Sequence, residues 1–221
     1  RKTVTSEVES GNIISDALRR GYFSVVVHAR KKPHPIQFED TASLWGRRTP
    51  VNSIIGYFRG RELKLLYLIN QQYKCRVLDI IMQIITNLGS LPAVIAVPLI
   101  LLLSDHPDYI SLGQDMAVVL IISQMMVHTV KFMVYRERPF KVLEDIIANK
   151  PPTSKRSFPS GHTCAAFALA LPICKVAPGI APLALGIAAL IGVSRVYLGG
   201  HYPSDVLAGA GIALAAFHIF L

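Results

Sequence analysis

IAPLALGIAALIGVSRVYLGGHYPSDVLAGAGIALAAFHIFL, from Ile180 to Leu221, is the stretch that decides the fold of this 221-residue chain. It holds two apolar runs, Ile180 to Leu198 and Ser204 to Leu221, separated by only five residues, Gly199 to Pro203. Each approaches the roughly 20 apolar residues that a helix needs to cross a bilayer. Backbone amides in lipid must be satisfied within their own segment, so both runs are expected to be helices. A joint this short makes them antiparallel neighbours. The polar residues Ser194, Arg195, His201 and Asp205 then gather at one end of the pair.

Three more segments upstream share this character: Val77 to Leu103, Met116 to Val134 and Ser160 to Val176. Pro92, Pro98 and Pro172 are expected to kink their helices, and Gly186, Ala189, Gly192, Gly209 and Gly211 to let helices approach closely. The expectation is an all-α polytopic membrane bundle of about five transmembrane helices over residues 76–221. Composition agrees: 52% hydrophobic and 17% charged residues with a mean hydropathy of +0.42 are unlike a soluble protein. The net charge of +9 suits anionic lipid or a phosphorylated ligand. Nucleic acid is not expected, since no basic-aromatic recognition motif accompanies the charge. Three cysteines, Cys75, Cys164 and Cys174, have neither an even count nor metal-ligand spacing, so no disulfide framework is expected.

Residues 1–75 differ in kind. Asn12 to Val27 and Val51 to Ile69 mix apolar side chains with basic ones such as Arg59, Arg61 and Lys64, which reads as amphipathic helix on the membrane surface with Trp45 as an interfacial anchor. A loosely ordered basic tail is the alternative. The polar start RKTVTSEVES shows no cleavable signal peptide.

Alternation of five spans places the end of the second, the start of the third, the end of the fourth and the start of the fifth on one face. Lys131 to Pro139, Pro159 to His162 and Ser194 to Asp205 therefore converge. The N-terminus shares that face with Arg59, Arg61, Lys64, Lys74, Arg76, Arg136, Arg138, Lys141, Lys150, Lys155 and Arg156, whereas the opposite connections hold only Lys175. The positive-inside rule then favours a cell-membrane protein whose site faces the cytoplasm.

The converging residue types suit phosphoryl chemistry. Ser160 is placed to cap the third helix, and Gly161 lets its backbone N–H groups face an anion. Arg138 and Arg195 offer planar forks for phosphoryl oxygens, and Lys131 a compact charge at a span's end. His162 at the lip of such a pocket can protonate a departing alkoxide. Asp205, in the first turn of a helix opened by Pro203, can reach back to His201, fix its tautomer and leave the other nitrogen free to attack phosphorus. Arg136 is less constrained and is expected only to meet lipid headgroups. His106, His128 and His218 are expected to be ordinary interfacial residues.

The ordered set Lys-x6-Arg-Pro (Lys131, Arg138, Pro139), Pro-Ser-Gly-His (Pro159 to His162) and Ser-Arg-x5-His-x3-Asp (Ser194, Arg195, His201, Asp205) resembles the type 2 phosphatidic acid phosphatase superfamily, which also contains vanadium haloperoxidases. The likeness runs from about Asn70 to the C-terminus. It implies a metal-independent phosphatase, without a cofactor, that works through a phosphohistidine. His201 would be the nucleophile, Asp205 its orienting partner and His162 the general acid and then base. Lys131, Arg138, Ser160, Gly161 and Arg195 would hold the phosphoryl oxygens. The chain departs from the commonest membrane members in showing no convincing sixth span before Val77.

A headgroup pocket at the bilayer surface suits a lipid phosphomonoester or diphosphate: phosphatidic acid, phosphatidylglycerol phosphate or a polyprenyl diphosphate. Two other classes stay open, a haloperoxidase-type oxidoreductase using vanadate and a catalytically silent lipid-binding membrane protein. Headgroup preference and oligomeric state are not encoded in these motifs.

Overall fold

The computed structural model describes residues 50–148 and 154–221, and side chains from Tyr57 onward within them. The described residues form helices. α1 (Pro50–Tyr67) runs into a π-helical turn, Leu68–Gln72, and is followed by α2 (Arg76–Leu88), α3 (Leu91–Leu102) and α4 (Pro107–Met133). A single turn, α5 (Pro139–Val142), precedes α6 (Gly161–Val176), a 3-10 turn (Pro178–Ile180), α7 (Ala181–Tyr197) and α8 (Pro203–Phe220). The amphipathic helix expected over Val51 to Ile69 thus coincides with α1, while Asn12 to Val27 and Trp45 lie outside the described residues.

Helices occupy all five apolar segments, with one correction. Val77 to Leu103 is two helices, α2 and α3, bent by 49° at Gly89 and Ser90. Pro92 therefore starts α3 rather than kinking a longer helix, because its missing N–H falls in a first turn that has no partner to lose. Pro98 and Pro172 are internal to α3 and α6, as expected. α4, at 27 residues, spans about 40 Å, ample for a hydrocarbon core of about 30 Å. α7 with its preceding turn, and α8, are also long and apolar enough to cross, and the bent α2–α3 pair passes as one span.

α6 is shorter, 16 residues, and it is the helix around which the others pack. Thr163, Cys164, Ala165, Ala166, Ala168 and Ala170 are buried along it, a small-residue surface that admits α4, α7 and α8 closely. Val94, Val119, Leu120, Val127, Leu171, Ala213 and Ala216 complete the core around it. Apolar side chains also face outward, among them Ile121, Phe132, Leu183 and Leu207, as lipid solvent permits.

Not every small residue packs. A Cβ at Gly209 would stand 2.5 Å from the Ser160 carbonyl oxygen, and one at Gly192 would stand 2.7 Å from Val206, so both positions mark close helix approach. Gly186 and Gly211 face open space, and on α7 the buried alanine is Ala188 rather than Ala189. At the motif-bearing end, α1 docks on the bundle: Leu66 is fully buried and clusters with Ile146, Val196 and Tyr202.

Candidate active site

α7 ends in a turn that throws His201 back onto the helix terminus. Gly199 takes φ +70, a left-handed conformation that a side chain would strain and that a Cβ 2.8 Å from Ile146 would also block. The Arg195 carbonyl then accepts from Gly200 N at 3.1 Å and His201 N at 3.2 Å. His201 is only 2% exposed. Its Nε2 lies 3.1 Å from Nη1 of Arg138. A guanidinium has no acceptor, so Nε2 presents its lone pair and the ring proton sits on Nδ1.

That Nδ1 faces Oδ2 of Asp205 at 3.5 Å, close but outside hydrogen-bond geometry, and Nδ1 has no other partner. The carboxylate is otherwise engaged: Oδ2 accepts from Tyr202 N and Oδ1 from Arg136 Nη1, each at 2.8 Å. Burial pushes the His201 imidazole down to about 4, with the Asp205 carboxylate pulling upward and the Arg195 and Arg138 cations pushing it further down. The contact is thus a carboxylate facing a neutral ring rather than an ion pair.

Two cations, Arg138 and Arg195, act on this ring, and a third, Lys131, interacts electrostatically with both of them. Arg138, also 2% exposed, donates from Nε to the Ser154 carbonyl (2.7 Å) and from Nη1 to the Gly200 carbonyl (2.8 Å). Burial lowers its pKa against the pull of Asp205, yet a guanidinium starting so high stays charged. Arg195 donates from Nη1 to Oγ1 of Thr86 at 2.8 Å, while its buried Nε has no partner. Lys131 reaches the same place: its Nζ is 3.9 Å from where a Cβ on Gly161 would stand. A buried, unpaired guanidinium N–H is costly, and an anion beside it removes that cost.

Ser160 caps α6 as the sequence suggested. Its Oγ accepts from Thr163 N at 3.4 Å and pairs with Thr163 Oγ1 at 2.9 Å, while its own N–H donates to the Asp205 carbonyl at 2.9 Å. That last bond ties the start of α6 to the start of α8. His162 follows one residue inside α6 and lines a cavity of about 300 Å³ with Leu91, Ile95, Ile121 and Gln124, at the α2–α3 break. The break comes this close because Gly89 has no Cβ; one would stand 3.3 Å from the His162 Cβ. Lys131, Arg138 and Arg195 act electrostatically on His162, as does His201.

All eight residues singled out from the sequence, Lys131, Arg138, Ser160, Gly161, His162, Arg195, His201 and Asp205, therefore stand at one end of the bundle. Three further ones, Arg136, Glu62 and Thr86, were missed. Arg136 does not simply face headgroups; it bridges Asp205 and Glu62 of α1. Glu62 is the one acidic residue between Pro50 and Arg76, a solitary carboxylate in a basic helix, and that isolation was the available signal. Thr86, which holds Arg195, carried none. Among the described residues no three His, Cys, Asp or Glu side chains form a metal-ligating group.

Comparison with solved structures adds a frame for this geometry. The chain superposes on the crystal structure of LpxE from Aquifex aeolicus with a TM-score of 0.64 and 28% identity, covering 71% of this chain and 92% of that one. A transmembrane PAP2-type phosphatidylglycerolphosphate phosphatase from Bacillus subtilis gives a TM-score of 0.58 at 24% identity, covering 82% and 89% respectively. No curated protein sequence matches significantly. Residues 113–221, which carry Lys131, Arg138, both histidines and Asp205, match the family model described as PAP2 superfamily. The fold is that of PAP2 membrane phosphatases, and over residues 113–221, just under half of the chain, the sequence is that of the PAP2 superfamily.

Proposed function

We propose that this protein is an integral-membrane phosphatase that hydrolyses a phosphomonoester or diphosphate on a lipid through a phosphohistidine, without a metal ion. The observation that carries the reading is the buried, partnerless Nε of Arg195, a cation that acts on His201, together with the His201 Nε2 lone pair 3.1 Å from Arg138 and Lys131 at the start of α6. A phosphoryl group seated there satisfies the orphaned donor and takes over the Arg138 contact now made to His201.

His201 Nε2 attacks phosphorus, forming the N–P bond while the P–O bond to the lipid breaks. His162 donates its proton to the departing oxygen, and the bound phosphoryl anion favours the protonated imidazole required. Water then attacks phosphorus, giving its proton to His162, and the N–P bond breaks. Asp205 keeps the Nδ1–H tautomer and offsets the charge that His201 gains on attack. Lys131, Arg138, Arg195 and the Gly161 N–H at the start of α6, in a turn that Ser160 holds in place, stabilise the equatorial oxygens. The mostly apolar cavity that reaches His162 supports a lipid leaving group: phosphatidic acid, phosphatidylglycerol phosphate or a polyprenyl diphosphate. The charge bias supports a site facing the cytoplasm, with the basic N-terminal region on the membrane surface.

The test is phosphate release by purified protein in detergent from a panel of lipid phosphates and diphosphates, with a chelator present. Release should persist in the chelator, be inhibited competitively by vanadate and vanish in His201→Ala. Loss on chelation would refute the metal-free mechanism. Halide oxidation with vanadate in place of phosphate release would favour the oxidoreductase, and neither activity would favour a silent lipid binder.

A further inference from the structure

Around Arg136 the packing forms a chain of contacts that the proposed mechanism leaves unused. Its Nη1 donates to Asp205 Oδ1 at 2.8 Å and to Ser204 Oγ at 2.6 Å, and its Nη2 donates to Glu62 Oε2 at 2.8 Å. The guanidinium lies over the Tyr202 ring, 3.9 Å from its centroid, and the Arg136 carbonyl accepts from Ser157 N at 2.8 Å. Glu62 Oε1 accepts from Ser204 N at 3.1 Å and also from Ser204 Oγ, so it caps the first turn of α8 as well. One planar cation thus bridges a carboxylate of α1 and the carboxylate facing His201. Neither carboxylate has freedom left to rotate.

We infer that Glu62 and Arg136 are positioning residues: Arg136 clamps Asp205 against His201, Glu62 clamps Arg136, and α1 is thereby part of the catalytic machinery rather than only a membrane-surface element. This rests on the phosphohistidine reading above. The physical need is specific. Without Arg136 the Asp205 carboxylate would keep only the Tyr202 N–H, would be free to turn away from Nδ1 of His201, and would act on the ring with a less compensated negative charge that raises the His201 pKa. Bridging also requires a planar fork that reaches two carboxylates at once, which lysine cannot supply. The charged groups facing His201 are Arg138 before α5, Arg195 of α7, Asp205 of α8 and, when protonated, His162 of α6. Arg136 acts on the ring through Asp205 alone.

The experiment pairs kinetics with histidine NMR on full-length protein in detergent. In Glu62→Gln, kcat on a lipid phosphate should fall about tenfold with KM within about twofold. In Arg136→Met the fall should be about 10–100-fold, and Arg136→Lys should not restore it. The double variant should be no slower than Arg136→Met, because both act through one contact. In Arg136→Met, ¹⁵N-histidine spectra should show the His201 pKa raised by about one unit or more. A Glu62→Gln variant with unchanged kcat, losses that multiply in the double variant, or a His201 titration unmoved by Arg136→Met would each overturn the inference. If the wild-type protein releases no phosphate from any lipid, the catalytic reading fails, and the His201 titration still decides whether the clamp exists.

Discussion

At the residue scale, chemistry was legible where spacing forced convergence and illegible where it did not. The meeting of His201, Asp205 and His162 could be read because they lie at helix ends whose side of the bilayer follows from counting spans. The environment of each could not. Arg138 looked like a free fork, but its Nε and Nη1 are held by the Ser154 and Gly200 carbonyls. Arg136 looked free and proves to be bridged, because Glu62, 74 positions away in sequence, comes from a helix that carries no motif. The burial of His201 has a measurable consequence. Its folded-state pKa of about 4 lies below the ordinary value of 6.5, so the ring takes up a proton only as pH falls through about 4. Stability tied to the neutral ring is therefore fully present above pH 6.5 and is lost progressively as pH falls from 6.5 toward 4. In ligand-free protein, ¹⁵N-histidine spectra should show His201 still neutral at pH 5.5, with the proton on Nδ1; a protonated ring at that pH would contradict the buried geometry.

At the element scale, each helix was visible as an apolar run, but the break between α2 and α3 was not. Gly89 and Ser90 sit inside an apolar run, and only packing against Ile191 and His162 gives the chain reason to bend there. Small residues carry the same lesson. Gly209 and Gly211 are alike in sequence, yet Gly209 meets the Ser160 carbonyl and Gly211 meets open space. The two should therefore part company on substitution. Gly209→Ala should destabilise by about 1–3 kcal/mol and lower activity by displacing Ser160, whereas Gly211→Ala should change neither. Thermal unfolding and phosphate release in detergent read both, and equal effects of the two substitutions would show that α8 does not press on the cap of α6.

At the scale of the whole molecule, orientation is the property that separates the readings of where the substrate lies. Cys75 is exposed at the start of α2, at the end of the bundle that carries the site, and Lys175 closes α6 at the other end, beside Asp115 at 3.8 Å. If the site faces the cytoplasm, a membrane-impermeant maleimide applied to intact cells should leave Cys75 unlabelled and label Lys175→Cys in a background with the other cysteines replaced. The reverse pattern would place the site outside. What the sequence determined by itself was the bundle and the face on which the motifs meet. Apolar runs of bilayer length must be helical in lipid, and short joints between them leave only one alternation of ends. What the tertiary structure alone decided was the arrangement within that face: the Nε2 lone pair turned toward Arg138, the orphaned Nε of Arg195, and the Glu62–Arg136–Asp205 bridge. Those depend on distances of a few ångströms between residues far apart in the chain, and such distances are set by how helices pack, not by the order in which residues occur.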